Sequence, residues 1–190
     1  MPPPIPVILA SYDPEWPRMA AGYAERLLQT LGSVLVAVHH IGSTAVLGLA
    51  AKPIIDLMSL VDDLSNLDRE RRRVEALGYD WHGEFGISGR RYCTLFDACG
   101  TRMAQFHFFE ARSREVVRHI AFRDYLRAHP QVAVAYEKEK YRAHELYPTI
   151  PTATPTRKQR GSETPRPRHL YGSTERRTDT TIEPWPVTGW

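Results

Sequence analysis

The sequence predicts an α/β (α+β) domain, a mixed β-sheet with flanking helices, followed by a disordered C-terminal tail. Three observations predict it. Extended and helical periodicities alternate in the first half of the chain. Two strand-like runs then follow one another directly. After Tyr147 the apolar periodicity stops. Alternation places helices between strands, and consecutive strands pair as a hairpin, so strand directions should be mixed.

The elements follow in order. Residues 7–10 are a short apolar run, read as a strand. Asp13 caps a helix with Pro14 in its first turn and Glu15 facing the helix dipole. Trp16, Ala20, Tyr23, Leu27 and Leu31 recur at helical spacing, and Gly32 closes the helix. Residues 33–41 and 54–61 are apolar and largely β-branched, as central strands are. Residues 64–77 form an amphipathic helix whose Arg69, Arg71, Arg72 and Arg73 read as a solvated face, stopped at Gly78. Residues 91–96 and 103–110 form two strands joined by a turn at Cys99-Gly100. Helices over 113–128 and 130–146 end the domain, with Pro130 stopping the first and starting the second.

The 190 residues hold one ordinary domain with a real core, at 42% hydrophobic and 25% charged residues. No apolar run approaches the ~20 residues of a membrane helix. The N-terminus lacks the features of a secretory signal. The two cysteines, Cys93 and Cys99, match no metal or redox spacing. A cytoplasmic protein with reduced thiols is expected. The net charge of +3 lies wholly in the tail: up to Tyr147 there are 18 basic and 18 acidic residues, and after it 7 and 4. The balanced domain therefore argues against nucleic acid as a partner. The domain is expected to span 1–147. Residues 148–190, with seven prolines and ten threonines, cannot bury enough apolar surface to offset ordering. Arg outnumbers Lys 21 to 4, and the switch of composition is abrupt. A shifted reading frame in a GC-rich gene is the hypothesis for that tail, and an uninterrupted frame in close relatives would remove it.

Chemistry concentrates between residues 40 and 56. Gly42-Ser43 follows a strand, where glycine lets the backbone adopt positive φ or approach a ligand. Ser43 and Thr44 offer hydroxyls and amides to a phosphate, and His40 orients the turn or binds an anion. A plain turn has the same composition. Asp56 stands within the apolar run Ile54-Ile55-Asp56-Leu57-Met58, where a charge needs a partner or a metal. Lys52, before Pro53, is extended and able to reach a phosphate. Gln105, His107 and Phe109 share a strand face. His107 is either a satisfied core histidine or an acid/base or metal group near Asp56. Arg90-Arg91 leads into the preceding strand, which Arg91 begins, and offers a phosphate clamp. No catalytic-triad spacing, P-loop or dinucleotide glycine pattern occurs.

The run His40-Ile41-Gly42-Ser43-Thr44-Ala45-Val46-Leu47-Gly48-Leu49-Ala50-Ala51-Lys52-Pro53-Ile54-Ile55-Asp56 closely resembles the signature of the GrpB family. Phe122-Arg123-Asp124-Tyr125-Leu126-Arg127-Ala128-His129-Pro130 resembles that family's second block. Tyr12-Asp13-Pro14-Glu15-Trp16, Tyr136 and Lys140 also match, so the resemblance covers about residues 7–147. It implies a fold similar to the nucleotidyltransferase superfamily and an association with dephospho-CoA kinases, to which some members are fused. In active nucleotidyltransferases a Gly-Ser turn holds the triphosphate, and two carboxylates two residues apart hold Mg2+. Carried over, Gly42 and Ser43 match the turn and Asp56 the first carboxylate. Met58 occupies the second carboxylate's place. Leu47 stands where the family has proline, and Gln105 where it has the first histidine of a His-x-His pair.

The resemblance and the residues together imply a protein that binds a nucleotide or other phosphorylated small molecule between the Gly42-Ser43 turn and Asp56. Two alternatives stand beside it: an active Mg2+-dependent nucleotidyltransferase, and another metal-assisted or acid/base enzyme using Asp56 and His107. Fold alone does not imply activity. The sequence leaves the substrate and the oligomeric state open.

Overall fold

A computed structural model of the chain describes residues 5–6, 8–146 and 149–150. The chain divides into units of residues 1–152 and 153–190, and every described residue belongs to the first. The tail expected from residue 148 lies outside the described residues except for residues 149–150. There β7 (Thr149–Ile150) pairs antiparallel with β1 (Ile5–Pro6). Of the strand expected at residues 7–10, Val7 lies outside the described residues. Ile8 and Leu9 are not in a strand, and Ala10 forms a single bridge to Ala51.

Helix α1 (Trp16–Leu31) starts two residues later than the capping pattern suggests, with Pro17 rather than Pro14 in its first turn. Asp13 still organises the start, since its Oδ1 accepts the Glu15 N–H at 2.9 Å and its carbonyl the Trp16 N–H at 3.1 Å. Gly32, at φ 53°, ends the helix as expected. A 3-10 turn over Gly32–Val34 delays the next strand, so β2 is Leu35–Ile41. Strand β3 is Ile55–Val61. The helix expected over 64–77 is two, α2 (Leu64–Arg69) and α3 (Arg71–Ala76). The Glu70 N–H bonds to the Leu67 carbonyl three residues back, tightening the last turn of α2. Leu67 and Val74 nevertheless stay on one face, both fully buried. The two-residue β4 (Asp80–Trp81) was not expected. Strands β5 (Arg90–Phe96) and β6 (Arg102–Glu110) form the expected hairpin, and α4 (Arg114–Ala128) and α5 (Pro130–Leu146) the expected closing helices.

The five-stranded sheet has the order β2-β3-β6-β5-β4. Only β3 and β6 run parallel; the other neighbours are antiparallel. This is the mixed α+β architecture that the alternation predicted. One face buries Ile55, Leu57, Val61, Phe106 and Phe108 beneath Trp16, Leu27 and Leu31 of α1 and beneath Leu67 and Val74. Each such burial is worth about 1.5–3 kcal/mol. The opposite face is smaller and mixed. Ile41, Met58, Leu60 and Phe109 pack there against Val116 of α4, and the polar residues of the site stand beside them.

Candidate functional site

Period-2 alternation puts Asp56 and Met58 on the α4 face of the sheet. Register then decides their neighbours. Asp56 lies opposite Ile41 on β2 and Gln105 on β6, and Met58 opposite His39 and His107. The Tyr92 hydroxyl donates to Gln105 Oε1 at 2.5 Å, which turns the amide nitrogen toward Asp56, donating to Oδ1 at 2.6 Å. His107 Nε2 stands 3.6 Å from the same oxygen, and its Nδ1 faces Arg90 Nη1 at 3.5 Å. Asp56 is half-buried rather than enclosed, and Gln105 supplies the partner that its apolar setting requires. Gln105 was not read from the sequence as the partner of Asp56. Its place two residues before His107, on the same face, was the available signal.

The turn after β2 closes over Asp56. Gly42 has φ 73°, and a Cβ there would stand 2.6 Å from Asp56 Oδ2, so glycine is required both by backbone conformation and by contact. Ser43–Ala45 then form a 3-10 turn. His40 Nε2 and Thr44 Oγ1 are 2.9 Å apart. Burial lowers the His40 imidazole to about 4, against an opposing effect of Asp56. His40 is therefore neutral at neutral pH. Its ring nitrogen stands within hydrogen-bond distance of Thr44, beside the turn.

Two distant helices hold this region by its backbone. From α4, Arg123 donates to the His40 carbonyl at 3.0 Å and Arg127 to the Ala45 carbonyl at 2.9 Å. From α5, Glu137 Oε1 accepts the Ala50 N–H at 2.7 Å, and Lys140 Nζ donates to the Ala50 carbonyl. None of these four anchoring roles was read from the sequence. The resulting cleft has a volume of about 390 Å3 and is lined by Ser43, Thr44, Lys52, Asp56, Gln105, Lys140 and His144, with Leu9, Ala51 and Ile54 among its apolar wall. Burial, and then the Arg102 guanidinium, hold the Lys52 ammonium below its usual value, while Asp56 acts the other way.

Not every candidate residue enters the cleft. Arg91 points to the opposite face of the sheet, where it grips both oxygens of Asp68 at 2.7 Å. This corrects its expected role as a phosphate clamp: β-strand alternation sends Arg90, not Arg91, to the site face. Arg90 itself is buried, donating to the Phe85 and Glu84 carbonyls. His107 contacts Asp56 but does not line the cleft. Met58 has no exposed surface and belongs to the core. Among the described residues no group of three or more His, Cys, Asp or Glu is gathered for a metal ion.

The family model described as GrpB protein matches residues 6–159. The chain belongs to the GrpB family. Within it, the UPF0157 protein YqkA of Bacillus subtilis (strain 168) is 40% identical over 126 residues, which are 66% of this chain and 36% of YqkA. The chain thus spans about a third of that relative's length. The crystal structure of the conserved protein GrpB from Enterococcus faecalis superposes with a TM-score of 0.70 at 37% identity, covering 74% of this chain and 85% of that one. A shorter likeness, 39% identity over 77 residues, links 39% of this GrpB-family chain with 19% of the dephospho-CoA kinase of Mycolicibacterium paratuberculosis. Leu47, where the GrpB signature has proline, is 83% exposed, so the departure disturbs no packing.

Proposed function

We propose that this GrpB-family protein binds a nucleotide or another phosphorylated small molecule in the cleft between the Gly42–Thr44 turn, Lys52 and Asp56, on a nucleotidyltransferase-like fold. One observation carries the reading: a single cavity of about 390 Å3 gathers hydroxyls, a half-buried lysine and one carboxylate over a glycine turn. A phosphate needs donors and positive charge, and the turn and Lys52 provide both. The apolar wall takes the carbon part of the ligand. The likeness to dephospho-CoA kinases favours a nucleotide or a coenzyme A precursor. No described helix is long and apolar enough to cross a membrane, in keeping with the cytoplasmic placement proposed for the protein.

The donor set fits one Mg2+ ion held by Asp56 together with ligand phosphates, since magnesium takes one or two carboxylates and keeps its other positions for phosphate and water. When bound, the ion would offset phosphate charge. A two-metal centre needs carboxylates on both ions, and Met58 is a core residue. Binding is therefore preferred over nucleotidyl transfer. A second reading, acid/base chemistry at Asp56 and His107, draws on their 3.6 Å separation.

Thermal melting with ATP, GTP and dephospho-CoA, with and without Mg2+, tests the proposal. A ligand at a hundredfold excess over its dissociation constant should raise the melting temperature by roughly 5–10 °C. Asp56→Ala should remove the Mg2+-dependent part. A melting temperature unmoved by every one of these ligands would sink the reading.

A further inference from the structure

Asp56 is the one carboxylate lining the cleft among the described residues, and its two oxygens stand in different surroundings. Oδ1 accepts from Gln105 Nε2 at 2.6 Å, and His107 Nε2 faces the same oxygen at 3.6 Å. A carboxylate only accepts, so the amide must turn its nitrogen toward Asp56. That leaves Oε1 for the Tyr92 hydroxyl, which donates to it at 2.5 Å. The amide is thereby fixed from both ends. Oδ2 is the opposite case. It accepts no hydrogen bond from any described residue, and it is open to solvent rather than buried. Glycine at 42 keeps its flank clear, since a Cβ there would stand 2.6 Å from it.

We infer that Gln105, braced by Tyr92, is a positioning residue that makes Asp56 a one-oxygen ligand, so that the cleft takes its phosphorylated ligand with Mg2+ in preference to Ca2+. Calcium gathers about six to eight oxygens and often engages a carboxylate through both of its own; magnesium takes a tight octahedron and needs one carboxylate oxygen beside phosphate and water. With Oδ1 held by Gln105, Oδ2 is the oxygen left for an ion. The inference rests on the phosphate and Mg2+ reading of the cleft. It adds the ion preference and the residue that sets it.

Calorimetric titration of the full chain with ATP, GTP and dephospho-CoA, each in Mg2+ and in Ca2+, tests this. A probe that binds should bind the wild type roughly tenfold more tightly with Mg2+ than with Ca2+. Gln105→Leu removes a hydrogen bond to a charged acceptor and frees Oδ1, so that ratio should fall by roughly a factor of ten. Tyr92→Phe lets the amide turn over and should lower the ratio by roughly threefold. A side chain that only supported the fold would change affinity with both ions alike and leave the ratio unmoved. Equal binding with the two ions in the wild type, or an unchanged ratio in Gln105→Leu, overturns the positioning role while the binding itself upholds the cleft reading. If Gln105→Leu does not fold, the ratio in Tyr92→Phe decides in its place. Binding of none of the three probes with either ion removes the cleft reading and this inference together.

Discussion

Gly42 has no room for a side chain beside Asp56: a Cβ on the glycine would stand 2.6 Å from Oδ2 of the aspartate. The glycine sits at φ 73°, so two separate penalties fall on any side chain there. Gly42→Ala should cost roughly 1–3 kcal/mol in urea denaturation and should abolish ligand-induced melting shifts. In an Asp56→Ala background the 2.6 Å clash with Oδ2 disappears, leaving the φ penalty and a milder approach to the Cβ of residue 56 at 3.1 Å. The two substitutions should therefore be less destabilising together than their sum. Strict additivity would show that the contact carries no energy.

Met58→Asp would recreate the two-carboxylate pattern of nucleotidyltransferases. The side chain at 58 is fully buried among Ile41, Leu60, Phe109 and Val116, so a carboxylate there is desolvated. We expect a loss of roughly 3 kcal/mol and a melting temperature lower by roughly 6–12 °C, with no Mg2+-dependent transferase activity gained. A stable variant that turns over nucleotide would contradict this.

His40 makes stability fall in mild acid. Its folded value is about 4, against an ordinary 6.5. Between these values the unfolded chain binds a proton that the folded chain refuses, so stability rises with pH across this window and is lost as pH falls through it. The loss reaches roughly 2–3 kcal/mol near pH 4. Burial lowers His39, His82 and His119 in the same direction, so the diagnostic is a difference. Denaturation of His40→Gln at pH 7, 6, 5 and 4.5 should show a shallower decline than wild type. Equal slopes would remove His40 as the cause.

Arg127 and Arg91 should behave oppositely. Arg127 holds the Ala45 carbonyl of the turn, so Arg127→Ala should weaken nucleotide binding several-fold with a modest loss of stability. Arg91 holds Asp68 on the far face, so Arg91→Ala should cost no more than about 1 kcal/mol and leave binding unchanged. Titrating both variants with the same nucleotide separates the roles.

His107 should be a fixed tautomer. Its Nδ1 faces the Arg90 guanidinium, which can only donate, and its Nε2 faces Asp56. Nitrogen chemical shifts should report Nε2–H in the wild type and a mixture in Arg90→Met. An Nδ1–H tautomer in the wild type would overturn the arrangement.

Local rules made much of this protein legible. Helical spacing from Trp16 to Leu31, the strand runs ending at Ile41 and Val61, the Pro130 boundary and the Gly42 turn all follow from periodicity and backbone chemistry acting over a few residues. So does the sharing of one face by Asp56 and Met58, and by Gln105 and His107. What was not legible depends on which elements meet. Parallel register set Gln105 beside Asp56, and the β5–β6 register, which puts Arg91 opposite Phe108, sent Arg91 away from the cleft. The anchoring of Ala50 by Glu137 and Lys140 joins residues 87 and 90 apart, as does that of the turn by Arg123 and Arg127 at 83 and 82. No window of sequence contains both partners of such contacts. The chain by itself determined its longer secondary elements and the glycine turn before a carboxylate-bearing strand, because those are set by local sterics and hydrogen bonding. Only the tertiary structure decided which side chains face the cleft, because that depends on how helices α4 and α5 pack against a turn and connector formed 82 to 90 residues earlier.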